Sequence, residues 1–158
     1  MSNEEKKDFN KKLKEKKDMP KIVELDDEAS KKWGGKTMVI APPIDYDKFM
    51  KKVPKGKLIT TDTLRKAMAT KYDTDITCPL TCGIFVNICA WASYQRDNDI
   101  TPYWRVLKTD GRLNEKYPEG VQLQKKLLEE EGYTIIQKGT KNIKYYVKDF
   151  SKYLMELE

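Results

Sequence analysis

The chain has 158 residues, of which 31 are Lys or Arg, 25 are Asp or Glu and none is His, giving a formal net charge of +6. This length fits one domain, and apolar residues are plentiful from about Met38 onward, which favours a folded body with a polar extension over disorder throughout. The positive charge is compatible with a nucleic-acid partner and does not identify one. With no long apolar run and no apolar N-terminal signal segment, the sequence predicts a cytoplasmic protein without a membrane segment.

Residues 1–32 are dominated by Lys, Asp and Glu. This composition predicts a charged N-terminal arm, flexible or partly helical, followed by a folded domain at residues 33–158. The residues leave two roles open for the arm, a solvated segment or a segment that grips phosphates. Its lysines include Lys6, Lys7, Lys11, Lys12, Lys14, Lys16 and Lys17.

The folded domain is predicted to begin near Trp33 with a short strand over residues 36–41. A helix over residues 45–52 should follow, with Asp45 as its N-cap. The apolar side chains of that helix recur at helical spacing, which predicts one buried face. They are Tyr46, Phe49 and Met50.

A Pro/Gly turn over residues 53–60 leads into a second predicted helix, capped by Thr61 or Asp62 and ending near residue 71. A third helix is predicted over residues 80–95, where apolar side chains recur at helical spacing after Pro79. A helix, a turn, a helix, a connector and a helix together predict a helix-turn-helix core.

The last third of the chain predicts a helix, a hairpin and another helix. Residues 118–120 open an amphipathic helix, and Gly132 fits its C-terminal cap. Residues 133–137 and 144–147 alternate like two strands around a Gly-containing turn, which predicts a β-hairpin. A final helix is predicted over residues 149–157. A hairpin after a helix-turn-helix is typical of a winged fold, although a hairpin packed on helices has the same pattern.

The cysteines Cys78, Cys82 and Cys89 are odd in number and crowded into one segment. They do not form a disulfide framework, and no histidine completes a zinc site, so the sequence predicts reduced, mostly buried thiols and neither a metal nor a cofactor. Cys78 leaves one alternative open. At a helix N-terminus its thiol pKa could fall, giving a cysteine-dependent enzyme with Glu131, Tyr103 or a lysine as base.

Three segments carry a resemblance to a known family. They are Val-Pro-Lys-Gly-Lys-Leu-Ile-Thr at 53–60, Thr-Pro-Tyr-Trp-Arg-Val at 101–106 with Asp-Gly at 110–111, and a Lys/Leu-rich helix between Gly120 and Gly132. In this order and spacing they resemble the C-terminal, DNA-binding domain of the alkylguanine-DNA alkyltransferases. The resemblance implies an α+β fold with a helix-turn-helix or winged-helix-like core, followed here by the C-terminal hairpin and helix.

The family carries Pro-Cys-His-Arg-Val where this chain has Pro102, Tyr103, Trp104, Arg105 and Val106. Tyr103 replaces the cysteine that accepts the alkyl group, and Trp104 replaces the histidine that activates it. A phenol with an ordinary pKa of about 10 is a poor nucleophile at neutral pH, and an indole cannot act as a base. The resemblance therefore implies the alkyltransferase-like branch without a catalytic cysteine, which binds DNA and senses alkylated or extruded bases without alkyl transfer, and we expect no catalytic residue.

Other positions carry over from the family one by one. Arg105 matches the arginine that ties the motif loop to backbone carbonyls, and Glu131 matches the acid that supports the family's histidine. Tyr117 matches a tyrosine lining the pocket for the flipped base, so Tyr103, Trp104 and Tyr117 are expected to form a base pocket. Purely structural roles in the core fit the same residues.

The chain departs from the family at two DNA-contacting positions. Thr61 stands where the family has a tyrosine that rotates the target phosphate, and Leu80 stands near the position of its intercalating arginine. Leucine can act as an apolar wedge. The helix over residues 80–95 contains no Lys or Arg. The predicted DNA-contacting residues are Lys55, Lys57, Thr60, Thr61, Leu80, Asn87 and Arg96.

Two alternatives remain open beside DNA binding and the cysteine enzyme. The scaffold could bind a protein, which the apolar helix 80–95 favours, or a small planar ligand stacked in an aromatic cavity. Basic residues favour DNA only if they share one face, and those concerned are Lys55, Lys57, Arg65, Arg96 and Arg112. The aromatic residues that could surround one cavity are Trp91, Tyr94, Tyr103, Trp104 and Tyr117.

Overall fold

The computed structural model describes residues 7–157, so Lys6 of the predicted arm lies outside the described residues. The chain forms a mixed α+β fold. Its elements in chain order are α1 (Phe9–Lys14), β1 (Lys21–Glu24), α2 (Asp27–Trp33), β2 (Thr37–Ile40), α3 (Pro43–Met50), β3 (Ile59–Thr60), α4 (Thr61–Tyr72), β4 (Ile76–Thr77), α5 (Pro79–Gln95), β5 (Val106–Leu107), α6 (Val121–Glu130), β6 (Ile135–Lys138) and β7 (Lys144–Val147).

The helix-turn-helix core consists of α3, α4 and α5, and two predicted caps within it are wrong. Helix α3 begins with Pro43 after Pro42, because proline needs no hydrogen-bond partner at the first helical position. Asp45 is therefore buried inside the helix, where it accepts a hydrogen bond from the Tyr72 hydroxyl. Helix α4 is capped by Thr60, whose hydroxyl and backbone exchange hydrogen bonds with Thr63 in a capping box.

Helix α5 lies at the centre of the fold and buries one face against α1, α3 and α4. Its buried face carries small and medium side chains, including Cys82, Val86, Cys89 and Ala90. The opposite face of its N-terminal half is apolar yet open, since Leu80 is 71% and Ile84 is 56% exposed.

Three small sheets surround these helices. Strand β2 pairs with β1 in antiparallel fashion and with β4 in parallel fashion, and β3 pairs with β5 in parallel fashion. The predicted hairpin is confirmed: β6 and β7 pair antiparallel with Ile135 opposite Val147 and Lys138 opposite Lys144. The pairing of β3 with β5 places the 53–60 turn beside the 101–106 segment.

The described part of the predicted arm, residues 7–32, contains α1, β1 and all of α2 except Trp33, and α1 and β1 pack on the folded body. Phe9 and Leu13 of α1 are buried in the main core. Strand β1 adds an edge to the β2–β4 sheet, with Lys21 opposite Ile40. The division of the chain at residue 33 stays a prediction, but these contacts tie both parts together.

The predicted helix over residues 149–157 is wrong. Only a short 3-10 turn forms, at Phe150–Tyr153. The following backbone instead pairs with Leu58, whose N–H donates to the carbonyl of Tyr153 at 2.9 Å and whose carbonyl accepts from Met155 at 3.1 Å. Strand-like pairing satisfies this backbone better than a short helix can, since an isolated helix of that length is marginal.

None of the helices within residues 7–157 has the length and apolar character needed to cross a lipid bilayer.

Candidate nucleic-acid interface

The motif segment is a 3-10 turn at Tyr103–Arg105 that follows the buried Pro102 and leads directly into β5. The backbone N–H of Arg105 donates to the carbonyl of Pro102 at 3.1 Å and closes the turn. Tyr103 is only 3% exposed, and burial raises the pKa of its hydroxyl well above the ordinary value. The Tyr103 side chain is therefore a neutral, buried phenol.

Trp104, which the motif resemblance aligns with a histidine, binds the carboxylate of Glu131. Its indole Nε1 donates to Oε2 of Glu131 at 2.9 Å. Arg105 holds the same carboxylate with Nη2 at 2.7 Å and Nε at 3.0 Å, and its Nη1 donates to the carbonyl of Val53 at 2.8 Å. Both carboxylate oxygens of Glu131 therefore accept hydrogen bonds from Arg105 or Trp104, so this carboxylate is not available to orient a base.

The predicted base-pocket residues lie together, but their rings fill the space between them. Tyr103 contacts Trp104 and Tyr117 edge to face, with ring centroids 5.4 Å and 5.2 Å apart. Tyr117 is 2% exposed, and its hydroxyl donates to the carbonyl of Val106 at 3.1 Å. The three residues pack as part of the core, and Tyr117 also borders a cavity described below.

A cleft of 870 Å³ runs along the outward face of α5. Leu80, Gly83, Ile84 and Asn87 of α5 form one wall, and the residues after the motif, 108–116, form the other. A Cβ atom at Gly83 would meet no atom within 4 Å, so the helix surface there is open to a close neighbour.

Four cations border this cleft: Arg65 of α4, and Lys108, Arg112 and Lys116 of the opposite wall, with Asp110 as the acid among them. Burial, and then the positive charges of Arg112 and Lys116, lower the pKa of the Lys108 amino group. Lys108, Arg112 and Lys116 therefore lie close enough together for their charges to affect one another.

Three of the predicted DNA-contacting residues, Thr61, Leu80 and Asn87, line the cleft. Lys55 and Lys57 are exposed on the 53–60 turn but do not line it.

The other two predicted contacts have structural roles. Thr60 is buried and caps α4. Arg96 follows the C-terminal end of α5, where it donates to Asn10 at 2.9 Å and to the carbonyl of Asp99 at 2.7 Å.

The five basic residues that would favour DNA if they shared one face do not all lie on the same face. Arg65 and Arg112 share the cleft, whereas Lys55, Lys57 and Arg96 are not part of it. The sequence reasoning missed Lys108 and Lys116. The feature that could have indicated these two lysines is their position in the loop that follows the motif, on either side of the Asp-Gly turn.

A second cavity of 750 Å³ continues the cleft toward the C-terminal end of α5. The two cavities share Ile84, Asn87 and Lys116, so they form one groove. Trp91 borders the second cavity, and its Nε1 donates to the carbonyl of Lys116 at 2.9 Å. Tyr117 borders it as well.

The predicted aromatic cluster forms two sets of ring contacts. Trp91 stacks on Phe9 at 5.6 Å and meets the edge of Tyr94 at 5.8 Å. The other set is Tyr103, Trp104 and Tyr117. The two sets approach one another at the second cavity, which Trp91 and Tyr117 both border.

The cysteines are free and buried, as predicted. Burial raises the pKa of Cys82 to about 11 and raises that of Cys89 well above its ordinary value. Cys78 is the N-cap residue of α5 without a side-chain capping bond, and it is 8% exposed. Within residues 7–157 no set of three or more Cys, Asp and Glu side chains could hold a metal ion. Cys78 lies at the helix N-terminus that the cysteine-enzyme alternative requires, but its side chain is almost fully buried there, and the alternative stays a prediction.

The fold as a whole is a helix-turn-helix core followed by a hairpin. It is similar to S. pombe Atl1, whose crystal structure is in complex with damaged DNA containing O6-carboxymethylguanine, with a TM-score of 0.52 and 21% identity over 72% of this chain and 94% of that chain. A second structure, of S. pombe ATL in complex with DNA, has a TM-score of 0.49 and 19% identity over the same shares. No protein-family model and no curated protein sequence matches the chain. The structural similarity to Atl1 confirms the predicted fold.

Proposed function

We propose that this protein is a non-catalytic, alkyltransferase-like DNA-binding protein that holds duplex DNA against α5. The observation that carries the proposal is the cleft itself: an open apolar helix face opposite a loop with three of the four bordering cations. Phosphates dominate the affinity of proteins for DNA, and apolar side chains can enter between base steps. The cleft offers both kinds of contact on one surface.

The chemistry of the motif supports binding without alkyl transfer. Tyr103 is buried, and its raised pKa keeps it protonated at neutral pH. Trp104 has no basic atom, and Glu131 is occupied by Arg105 and Trp104. A group that accepts an alkyl cation equivalent must be an available nucleophile with a base to activate it. This site has neither.

The apolar side of the cleft is arranged as a wedge. Leu80 is in the first turn of α5 and projects into solvent, with Ile84 one turn later and Gly83 between them. The bare glycine surface allows the DNA backbone to approach, while Leu80 can fill the gap that an extruded base leaves. The four cations then lie on the rim where phosphates would pass.

An altered base is proposed to be recognised where the two cavities meet. Asn87 lies there, and its Oδ1 accepts from Nδ2 of Asn114 at 3.1 Å. Amide side chains can pair with base edges. Tyr117 supplies a ring nearby. The similarity of the fold to a protein crystallised with damaged DNA supports this proposal.

The test is fluorescence-anisotropy titration of matched duplexes, one with guanine and one with O6-alkylguanine, over a series of salt concentrations. Wild-type protein should bind both, with affinity falling steeply as salt rises. Lys108→Gln with Lys116→Gln should lower the salt slope by about two, because each phosphate contact contributes about one. A matched control is Lys48→Gln with Lys52→Gln, since these lysines border a different cavity between α3 and α4.

Asn87→Ala should reduce the preference for the alkylated duplex and leave the salt slope unchanged. Tyr117 is a poor choice for truncation, because its ring is buried and its removal would damage the core. No saturable binding to either duplex at low salt would refute the proposal. In that case the exposed Leu80 and Ile84 would instead mark a docking face for a protein or a planar ligand.

A further inference from the structure

The β6–β7 hairpin is joined to the wall of the cleft by backbone pairing. Arg112 and Tyr146 form an antiparallel bridge. Backbone hydrogen bonds of 2.9 Å and 3.1 Å flank this bridge on its two sides, one donated by the N–H of Leu113 and the other by the N–H of Val147. Residues 111–113 therefore act as a third strand beside β7, and the hairpin extends the cleft wall as a sheet.

Tyr146 stands on the same face of this sheet as Arg112. Two residues directly opposite in an antiparallel pair project their side chains to one side, and the non-hydrogen-bonded arrangement found here brings them closest. Because Arg112 borders the cleft, the Tyr146 side chain lies at the rim of the cleft. The amino group of Lys138 lies over the Tyr146 ring, 4.7 Å from its centroid. On this face the ring therefore stands between a cation of the cleft wall and a cation of β6.

The alternation of side chains along β7 gives the hairpin two different faces. Val147 is 2% exposed and packs in the core. Successive residues of a strand point to opposite faces, so Tyr146 and Lys148 share the other face. The N–H of Lys148 donates to the carbonyl of Thr134 at 2.9 Å, which continues the pairing of the two strands to this position. We call the side that carries Lys138, Tyr146 and Lys148 the outer face of the hairpin.

The hairpin carries positive charge and no acid of its own. Residues 133–148 contain four lysines and neither Asp nor Glu. One of these lysines, Lys144, donates to Glu115 at 2.5 Å, and this ion pair connects the hairpin to a residue that borders the second cavity. Lys138 and Lys148 are exposed. The positive surface of the cleft therefore continues onto the outer face of the hairpin.

Arg112 is the point at which the cleft meets the outer face. Its Nε atom is buried and has no hydrogen-bond partner within residues 7–157, and its backbone N–H donates to Oδ1 of Asp110 at 3.2 Å. Because neighbouring strands lie about 4.8 Å apart and residues two apart in a strand about 7 Å, the backbone positions of Lys138 and Lys148 are within about 12 Å of Arg112. The grooves of B-DNA are about 6 Å and about 12 Å wide. A duplex that binds at Arg112 therefore brings further phosphates over the outer face.

We propose that the outer face of the β6–β7 hairpin is a second DNA-contacting surface, in which Lys138 and Lys148 bind backbone phosphates of the duplex held in the cleft. This inference rests on the proposed function, because it requires DNA in the cleft. It adds a contact built on strands to the one built on α5, so that the duplex is held on both sides of Arg112.

The experiment compares full-length variants by anisotropy on one unmodified duplex, with affinity measured over a series of salt concentrations. Lys138→Gln with Lys148→Gln should lower the slope of log affinity against log salt by about two. Lys138→Arg with Lys148→Arg should keep the wild-type slope, because the charge is retained. The matched control is Lys48→Gln with Lys126→Gln, two exposed lysines that border neither cavity of the groove, and it should also keep the slope. Far-ultraviolet circular dichroism checks that each variant is folded.

The outcomes separate this inference from the proposed function. If the Lys108 and Lys116 variant loses slope but the Lys138 and Lys148 variant does not, the hairpin lies outside the interface, and this inference is refuted while DNA binding stands. If the control pair loses as much slope as the hairpin pair, the loss reflects net charge and not a contact surface, which also overturns the inference. If the wild-type protein binds no DNA, the proposed function fails first, and this inference with it.

Discussion

Substitution Glu131→Ala removes the carboxylate that joins the motif segment to the end of α6. In the native protein that carboxylate accepts from Arg105 at 2.7 Å and 3.0 Å and from Trp104 at 2.9 Å. The side chains of Arg105 and Glu131 are 14% and 10% exposed. Without Glu131, the guanidinium stays in this shielded place with the carbonyl of Val53 as its hydrogen-bond partner and the Trp104 ring 5.4 Å away.

The expected loss in the free energy of unfolding is about 3–5 kcal/mol, the range for breaking a buried ion pair by removing one partner. Urea denaturation at pH 7, followed by circular dichroism, measures it. Glu130→Ala is the control, because Glu130 is exposed on the same helix and should change stability by less than about 0.5 kcal/mol. A loss at Glu131 below about 1 kcal/mol would show that water replaces the carboxylate and would refute the reasoning.

The same pair predicts a dependence on pH. Burial raises the pKa of Glu131, the hydrogen bonds from Arg105 and Trp104 lower it, and the net shift is downward. A lowered pKa in the folded state stabilises the protein above the ordinary value of about 4.3 and loses that contribution as pH falls through the folded pKa. The stability difference between wild type and Glu131→Gln should be constant from pH 7 to about pH 5 and shrink below it.

Three further predictions concern caps, thiols and the apolar wedge. Thr60→Ala should lower the free energy of unfolding by about 1 kcal/mol in urea denaturation, because it removes the capping box with Thr63. Cys82 and Cys89 should resist a thiol reagent at pH 7.5 and react in urea, as peptide mapping would show, since burial raises both pKa values; labelling of the native protein would contradict this. Leu80→Ala should leave thermal stability unchanged, because the side chain is 71% exposed, while weakening DNA binding in the anisotropy assay.

Local patterns in the sequence were enough for the central and C-terminal elements. Helix α5 runs from Pro79 to Gln95, one residue longer than its apolar spacing predicts, and β7 has the predicted bounds. Gly132 adopts the positive φ of a helix C-terminal cap, as its position after α6 indicates. Each of these signals lies within a few residues of the element that it defines.

The parts that the sequence did not predict depend on distant partners. Helix α1 has only Phe9 and Leu13 as buried residues, and its hydrogen-bond partners Gln95 and Arg96 lie more than eighty residues away along the chain. The C-terminal helix failed because the backbone there pairs with Leu58.

At the candidate site, the three motif segments predicted the fold, and they indicated that Tyr103 stands where the alkyltransferases have their nucleophilic cysteine. They could not predict that the ring of Tyr117 would pack on Tyr103 and fill the space between them, since that depends on side-chain packing. Lys108 and Lys116 lie on either side of the Asp-Gly turn of the second segment, but this position does not predict which helix they face, because the path of the loop decides it.

The hydrogen bond from the Trp91 indole to the carbonyl of Lys116 gives the protein an intrinsic optical probe. The ring is 8% exposed and touches the groove, and the carbonyl that it binds belongs to a residue bordering both cavities. Any occupant that shifts the backbone at Lys116 changes the electric field at the indole, and with it the emission maximum. Occupancy of the groove can therefore be followed in unlabelled protein, with Trp91→Phe to identify the source of the signal.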